Sequence, residues 1–154
     1  MSVNPISLLH QTAMGAIAAA GFGVLFNVAY RLLPWCAASG AVALATQTAC
    51  LGLGWSLEGA SLAAALVVGI GAQLLRHADI SQEVLGVVGC IPMVPGSFAA
   101  KAVLGLYAVT TGVASDPQML NTAVRYTLRV IFTTGAIGTG LAIPGLLARA
   151  RLRA

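Results

Sequence analysis

The fold class predicted is all-α: a polytopic membrane bundle of about five transmembrane helices, the fourth broken at a Pro-x-x-Pro-Gly motif. Three observations predict it. Of 154 residues, 58% are hydrophobic and only 8% are charged, whereas a soluble domain carries about a quarter charged residues to cover its surface. The mean hydropathy is +0.92. The charges are also unevenly placed, with no Asp, Glu, Lys or Arg between Leu32 and Leu57. Charge-free windows of that length mark bilayer-spanning segments. Residues 1–154 are therefore read as a single integral membrane domain.

The first apolar segment covers roughly Ser7 to Ala29. It lacks a preceding Lys/Arg region and is too long for a cleavable signal, so it reads as a span. The second runs from about Trp35 to Leu53, bracketed by Trp35 and Trp55 as aromatic residues bracket a helix at two interfaces. The third runs from about Leu57 to Leu75. The fourth begins near Val84, breaks at Pro92 to Gly96 and continues to about Thr110. The fifth extends from near Pro117 to around Ala148, with Asp116 as cap and Pro117 at the first helical position. Each segment approaches or exceeds the roughly 20 residues that cross ~30 Å of hydrocarbon.

Small residues recur at four-residue spacing within these segments. Gly15, Ala19 and Gly23 share one face of the first; Ala41, Ala45 and Ala49 one face of the second; Ser61, Ala65 and Gly69 one face of the third. Helices in lipid gain little from hydrophobicity on association, so such faces predict close backbone packing. Orientation follows from the arginines. Arg31, Arg76 and the Arg149, Arg151 and Arg153 tail all fall on one side of a five-crossing topology, and basic loops are cytoplasmic. The amino terminus is thus expected outside, in the periplasm of a cell whose inner membrane holds the chain, and the carboxyl terminus inside. A re-entrant fourth segment would place the Arg-rich tail outside.

The stretch GCIPMVPGSFAAKAVLG (Gly89 to Gly105) carries the candidate chemistry. Pro92 and Pro95 each remove a backbone donor and disfavour a continuous helix. Gly96 permits the backbone angles of a break, and Ser97 is placed to cap a helix starting at Phe98. A half-helix so formed directs free amide groups and partial positive charge at the break, with the Lys101 ammonium about one turn along. Broken helices of this kind aim their amino ends at anionic substrate groups in transporters. The competing reading is a plain proline kink. A charge at mid-span costs about 2.5–3.5 kcal/mol on insertion scales, so Lys101 either faces the bundle interior or extends its stem to the interface.

Arg125 and Arg129 lie four apart on one face of the fifth helix. They either reach outer headgroups or line an outer vestibule for an anion. Glu58 and Asp116 lie at the outer edges of predicted spans and Asp79 and Glu83 in the inner loop, so no carboxylate is placed deep in a span to neutralise these three cations, which suits an anionic or zwitterionic carboxylate better than a cation. Pro92, Pro95, Gly96, Ser97, Lys101, Arg125 and Arg129 are accordingly the candidate substrate-binding residues. Asn27, Gln47, Ser97 and Thr133 could hydrogen-bond a substrate or a neighbouring backbone, with interhelical hydrogen bonding the expected task of Gln47. Pro144-Gly145 repeats the Pro-Gly pairing and is expected to weaken the fifth helix.

Other classes find no support. There is no HExxH, no GxSxG, no nucleotide-binding glycine loop and no in-span carboxylate pair, so no enzyme and no cofactor are expected. Cys36, Cys50 and Cys90 read as small buried hydrophobes. The basic tail fits the positive-inside pattern and offers no case for nucleic acid.

GFGVLFNVAYRLLPWCAASG (Gly21 to Gly40), GCIPMVPGSFAAKA and GAIGTGLAIPGLL (Gly135 to Leu147) together resemble the threonine/serine exporter family, in its small YjjB-like form. The resemblance covers roughly Ala13 to Ala148, with IPMVPG and a downstream IPG as its most specific elements. It implies an inner-membrane export subunit, corresponding to the membrane half of a longer exporter, that works with a larger YjjP-like membrane subunit. It also implies a substrate among threonine, serine or succinate-type dicarboxylates. The alternative is a non-conducting subunit that stabilises a partner transporter.

Overall fold

The computed structural model describes residues 5–75, 82–111 and 117–151. Among them every regular element is helical: α1 (Pro5–Leu25), α2 (Leu33–Gly52), α3 (Leu57–Leu74), α4 (Gln82–Cys90), α5 (Gly96–Thr110) and α6 (Pro117–Arg151), with 3₁₀ turns at Tyr30–Leu32 and Ile91–Met93. Each of the five apolar segments corresponds to one helix or, for the fourth, to the pair α4 and α5. Arg76, Asp79, Asp116 and Arg153 lie outside the described residues.

Among the described residues three helices are long and apolar enough to cross a membrane, α1, α3 and α6, and the broken pair α4 and α5 makes up to a fourth. The second segment forms a 20-residue helix, but Ser39 and the Thr46-Gln47-Thr48 run leave it below that apolarity. α6 has 35 residues, a length of about 52 Å, so it is longer than the ~30 Å hydrocarbon core.

The helix ends are set by local chemistry. α1 closes with Val28 N–H on Gly23 O (2.9 Å) and Asn27 N–H on Val24 O (3.0 Å), a Schellman arrangement that needs a left-handed residue. Asn27 supplies it with φ 56°. α2 ends the same way, with Trp55 N–H on Cys50 O and Gly54 N–H on Leu51 O and Gly54 at φ 88°. Two residues later Ser56 caps α3 by accepting from Gly59 N–H at 3.2 Å. Asn27 therefore has a structural task at a helix end.

The chain packs as two compact units, one of residues 1–93 and 136–154, the other of residues 94–135. In the first, α1 and α2 run antiparallel. A Cβ on Gly15 or Gly40 would collide with backbone of the other helix, so their close approach requires glycine at both. α1 buries Gly15, Ala19 and Gly23, and α3 buries Ser61, Ala65 and Gly69 among others, as the small-residue spacing predicts. In α2 the buried face is Cys36, Gly40, Ala43 and Gln47, while the predicted Ala41, Ala45 and Ala49 are half-buried. Small residues occupy several faces of this helix, and spacing alone does not choose among them.

Gln47 Nε2 donates to Ser61 Oγ at 2.8 Å across the buried α2–α3 seam. α4 docks on α2, where Ser39 Oγ donates to Leu85 O at 3.1 Å and Gly89 leaves space for the Ser39 side chain. Cys90 and Met93 then sit in a cluster with Ala43, Ala64, Ala65, Val68 and Ile137.

The end of α6 runs parallel to α3. Gly140 meets Ala65, Gly69 meets Pro144, and Gly145 meets Gln73. Pro144 lies inside a continuous helix, so the expected weak point at Pro144-Gly145 is not a break. The carbonyl that Pro144 leaves without its helical donor belongs to Gly140, and it faces α3 at Gly69. Close packing there holds the helix through the proline.

Candidate functional site

The break in the fourth segment begins in the first unit, where the Ile91–Met93 turn follows α4 and holds half-buried Pro92. The second unit opens at Val94. Pro95 has φ −78° and ψ 68°, and Gly96 N–H donates to Val94 O at 2.8 Å. Those values define an inverse γ-turn centred on the proline. α5 starts immediately after it, with Pro95 as N-cap and no side-chain cap.

Three expectations are corrected here. Ser97 does not cap the helix. Pro95 O accepts from both Phe98 N–H (3.0 Å) and Ala99 N–H (3.1 Å), so the helix starts before the serine and leaves its exposed side chain nothing to cap. Nor is Gly96 in the left-handed region, because the γ-turn at Pro95 makes the change of direction. The free amides expected at the break are also fewer. Of the first four, those of Gly96, Phe98 and Ala99 are engaged, leaving Ser97 N–H without a backbone acceptor among the described residues.

α5 and the first half of α6 form an antiparallel hairpin. Gly105 permits the crossing, since a Cβ there would lie 2.8 Å from Ala123 Cβ, and both Ala102 and Ala123 are buried. Two turns before that crossing on α5 and one turn after it on α6, Phe98 and Tyr126 stack, with ring centroids 5.5 Å apart and planes at 20°. Lys101 Nζ lies 5.7 Å from the Tyr126 ring centre, and Arg129 Cζ lies 5.1 Å from that of Phe98. Each cation thus covers the ring carried by the opposite helix.

Local sequence explains the exchange. Phe98 and Lys101 are three apart on α5, and Tyr126 and Arg129 are three apart on α6, so each aromatic shares a face with the cation one turn on. When the helices cross antiparallel, the rings meet and each cation projects over its neighbour's ring. The ring quadrupole attracts the cation electrostatically.

The structure therefore brings Lys101 and Arg129 to one aromatic pair. Arg125, four residues before Arg129, is exposed, as are Lys101 and Arg129 themselves. The interior position open to Lys101 in the sequence is not the one it takes within this chain. Phe98 and Tyr126 are the residues sequence reasoning missed. The signal was present as matched aromatic-x-x-cation spacings, FAAK and YTLR, in two segments read separately. Of the other polar candidates, Gln47 is paired as described, and Thr133 is wholly buried with no hydrogen-bond partner for its hydroxyl among the described residues. Cys36 and Cys90 are buried free thiols, and no cluster of metal-ligating residues occurs among the described residues.

A family model described as Threonine/Serine exporter, ThrE matches residues 11–147. No solved structure matches the chain.

Proposed function

Because the chain belongs to the threonine/serine exporter family, whose model spans nearly all of it, we propose that it is one subunit of a heteromeric secondary exporter. Its substrate is a small carboxylate metabolite, either a succinate-type dicarboxylate or threonine and serine. A larger YjjP-like membrane subunit supplies the rest of the path.

The observation that carries this reading is the exchanged pair of cations. Lys101 and Arg129 are both anchored on the Phe98–Tyr126 stack, a short distance along α5 from the Pro95 turn. Anchored cations lose little conformational freedom when an anion arrives, and pre-organisation of that kind favours binding. The carboxylate accepts from the ammonium and the guanidinium, and Ser97 N–H at the start of α5 adds a backbone donor. The γ-turn at Pro95 starts the helix that carries Lys101, and Arg125 extends the cationic face; Pro92 and Gly96 flank that turn in the sequence. All three cations are exposed within this chain, which favours a path completed by a second subunit over one closed within it.

The expected orientation, amino terminus periplasmic and carboxyl terminus cytoplasmic in the inner membrane, draws support from the first unit. α1 and α2 are antiparallel, α2 and α3 are antiparallel, and the end of α6 is parallel to α3. Arg31 and Arg149 consequently lie at the same end of that unit, as the positive-inside pattern requires.

The test is efflux of succinate and threonine from cells carrying this chain alone, the larger subunit alone, or both. Lys101→Ala, Arg129→Ala and a Pro92/Pro95 double replacement are compared at matched membrane levels. Loss of efflux with co-purification retained supports the site. Normal efflux in all three variants removes it. Loss of co-purification instead indicates the assembly role.

A further inference from the structure

Thr133 carries the buried hydroxyl that finds no partner among the described residues, and the residue is 0% exposed. An unpaired buried hydroxyl destabilises the fold that contains it, and valine fills the same volume without that penalty. Other threonines of α6 avoid the problem by bonding the carbonyl one turn back: Thr122 to Gln118 O at 2.8 Å and Thr127 to Ala123 O at 2.9 Å. Thr133 does not take that route, so its hydroxyl is held uncommitted. Its place on the helix is specific too, four residues beyond Arg129 and seven beyond Tyr126, on the face of α6 that carries both.

We propose that the Thr133 hydroxyl is a substrate-binding group, engaging the second polar function of a molecule whose carboxylate is held at Arg129. The inference rests on the anion reading of Lys101 and Arg129 given above. Residues four apart are separated by about 6 Å along a helix axis. That separation suits a short bifunctional acid, with a carboxylate at one end and an amino, hydroxyl or second carboxylate group a few bonds away. A hydroxyl both donates and accepts, so it serves each of those groups, whereas a monofunctional acid of equal length leaves it unpaired. The hydroxyl is enclosed in the conformation described here, so the contact forms in a conformation that opens this face of α6.

The experiment replaces the chromosomal copy with Thr133→Val, Thr133→Ser or Arg129→Ala. It follows the concentration dependence of threonine and succinate efflux, with thermal unfolding of the purified protein in parallel. Thr133→Val is expected to unfold at the same or a higher temperature while the apparent KM rises about tenfold, the loss of one good hydrogen bond. Thr133→Ser restores the original KM. Unchanged KM in Thr133→Val, or a lowered unfolding temperature that would signal a structural partner, overturns the inference. If Thr133→Val exports normally while Arg129→Ala does not, the threonine assignment falls alone. If both export normally, the anion site falls with it.

Discussion

Gly138 and Gly140 lie two residues apart in α6, and the same substitution at each is expected to act with opposite sign. A Cβ at Gly140 would lie 2.7 Å from Ala65 Cβ, 2.9 Å from Leu62 O and 3.2 Å from Leu66 N. Two of those atoms are backbone, so α3 itself must shift. At Gly138 nothing lies within 4 Å of the added carbon. Alanine is a better helix former than glycine by about 1 kcal/mol, and that gain is common to both positions. It cancels in the comparison and leaves the steric cost of overpacking, about 1–3 kcal/mol. For a chain of this size each kcal/mol moves the midpoint by about 2–4 °C. Gly140→Ala should therefore melt roughly 2–12 °C below Gly138→Ala, with Gly138→Ala at or above the parent. Thermal unfolding of the three proteins in one detergent, followed by circular dichroism, measures this directly. Equal midpoints, or a lower one for Gly138→Ala, would show that α3 and α6 do not meet at Gly140 as described.

Removing the Gln47 amide with Gln47→Leu should destabilise by about 1–2 kcal/mol, since Ser61 is left buried without its donor. Adding Ser61→Ala should then cost less than its own single effect, and an additive double-mutant cycle would contradict the 2.8 Å bond. Phe98→Leu removes a stack and a cation platform together, about 1–2.5 kcal/mol, whereas Tyr126→Phe keeps the ring and should leave both unfolding and efflux near the parent. Pro144→Ala should leave efflux intact because α6 passes unbroken through that residue, while Pro95→Ala, which releases the γ-turn, should reduce it. Reporters placed after Arg31 and after Arg149 should mark the same side of the membrane; opposite sides would refute the parallel course of α3 and the end of α6.

Much of the architecture is legible in the sequence. Apolar length marked the five segments, and proline with glycine marked the interruption of the fourth. Four-residue spacing of small side chains named the packed faces of α1 and α3, because a helix repeats its faces at that interval and lipid rewards close backbone contact. The same rule misassigned α2, where small residues surround the helix and the docking of Gly15 on Gly40 selects the face. Ser97 looked like a cap on type alone. The preceding proline took that position because its fixed φ and free carbonyl already start the helix.

By itself the sequence determined that this chain is a polytopic helical membrane protein, where its continuous helix is interrupted, and which family its motifs belong to. These properties depend on composition and on neighbours a few residues apart. Only the tertiary structure decided that Lys101 and Arg129 share the Phe98–Tyr126 pair, that Pro144 leaves α6 whole and that the Thr133 hydroxyl stays uncommitted. Each of those outcomes depends on which faces of two helices meet at a crossing, and a crossing is fixed by contacts between residues far apart along the chain.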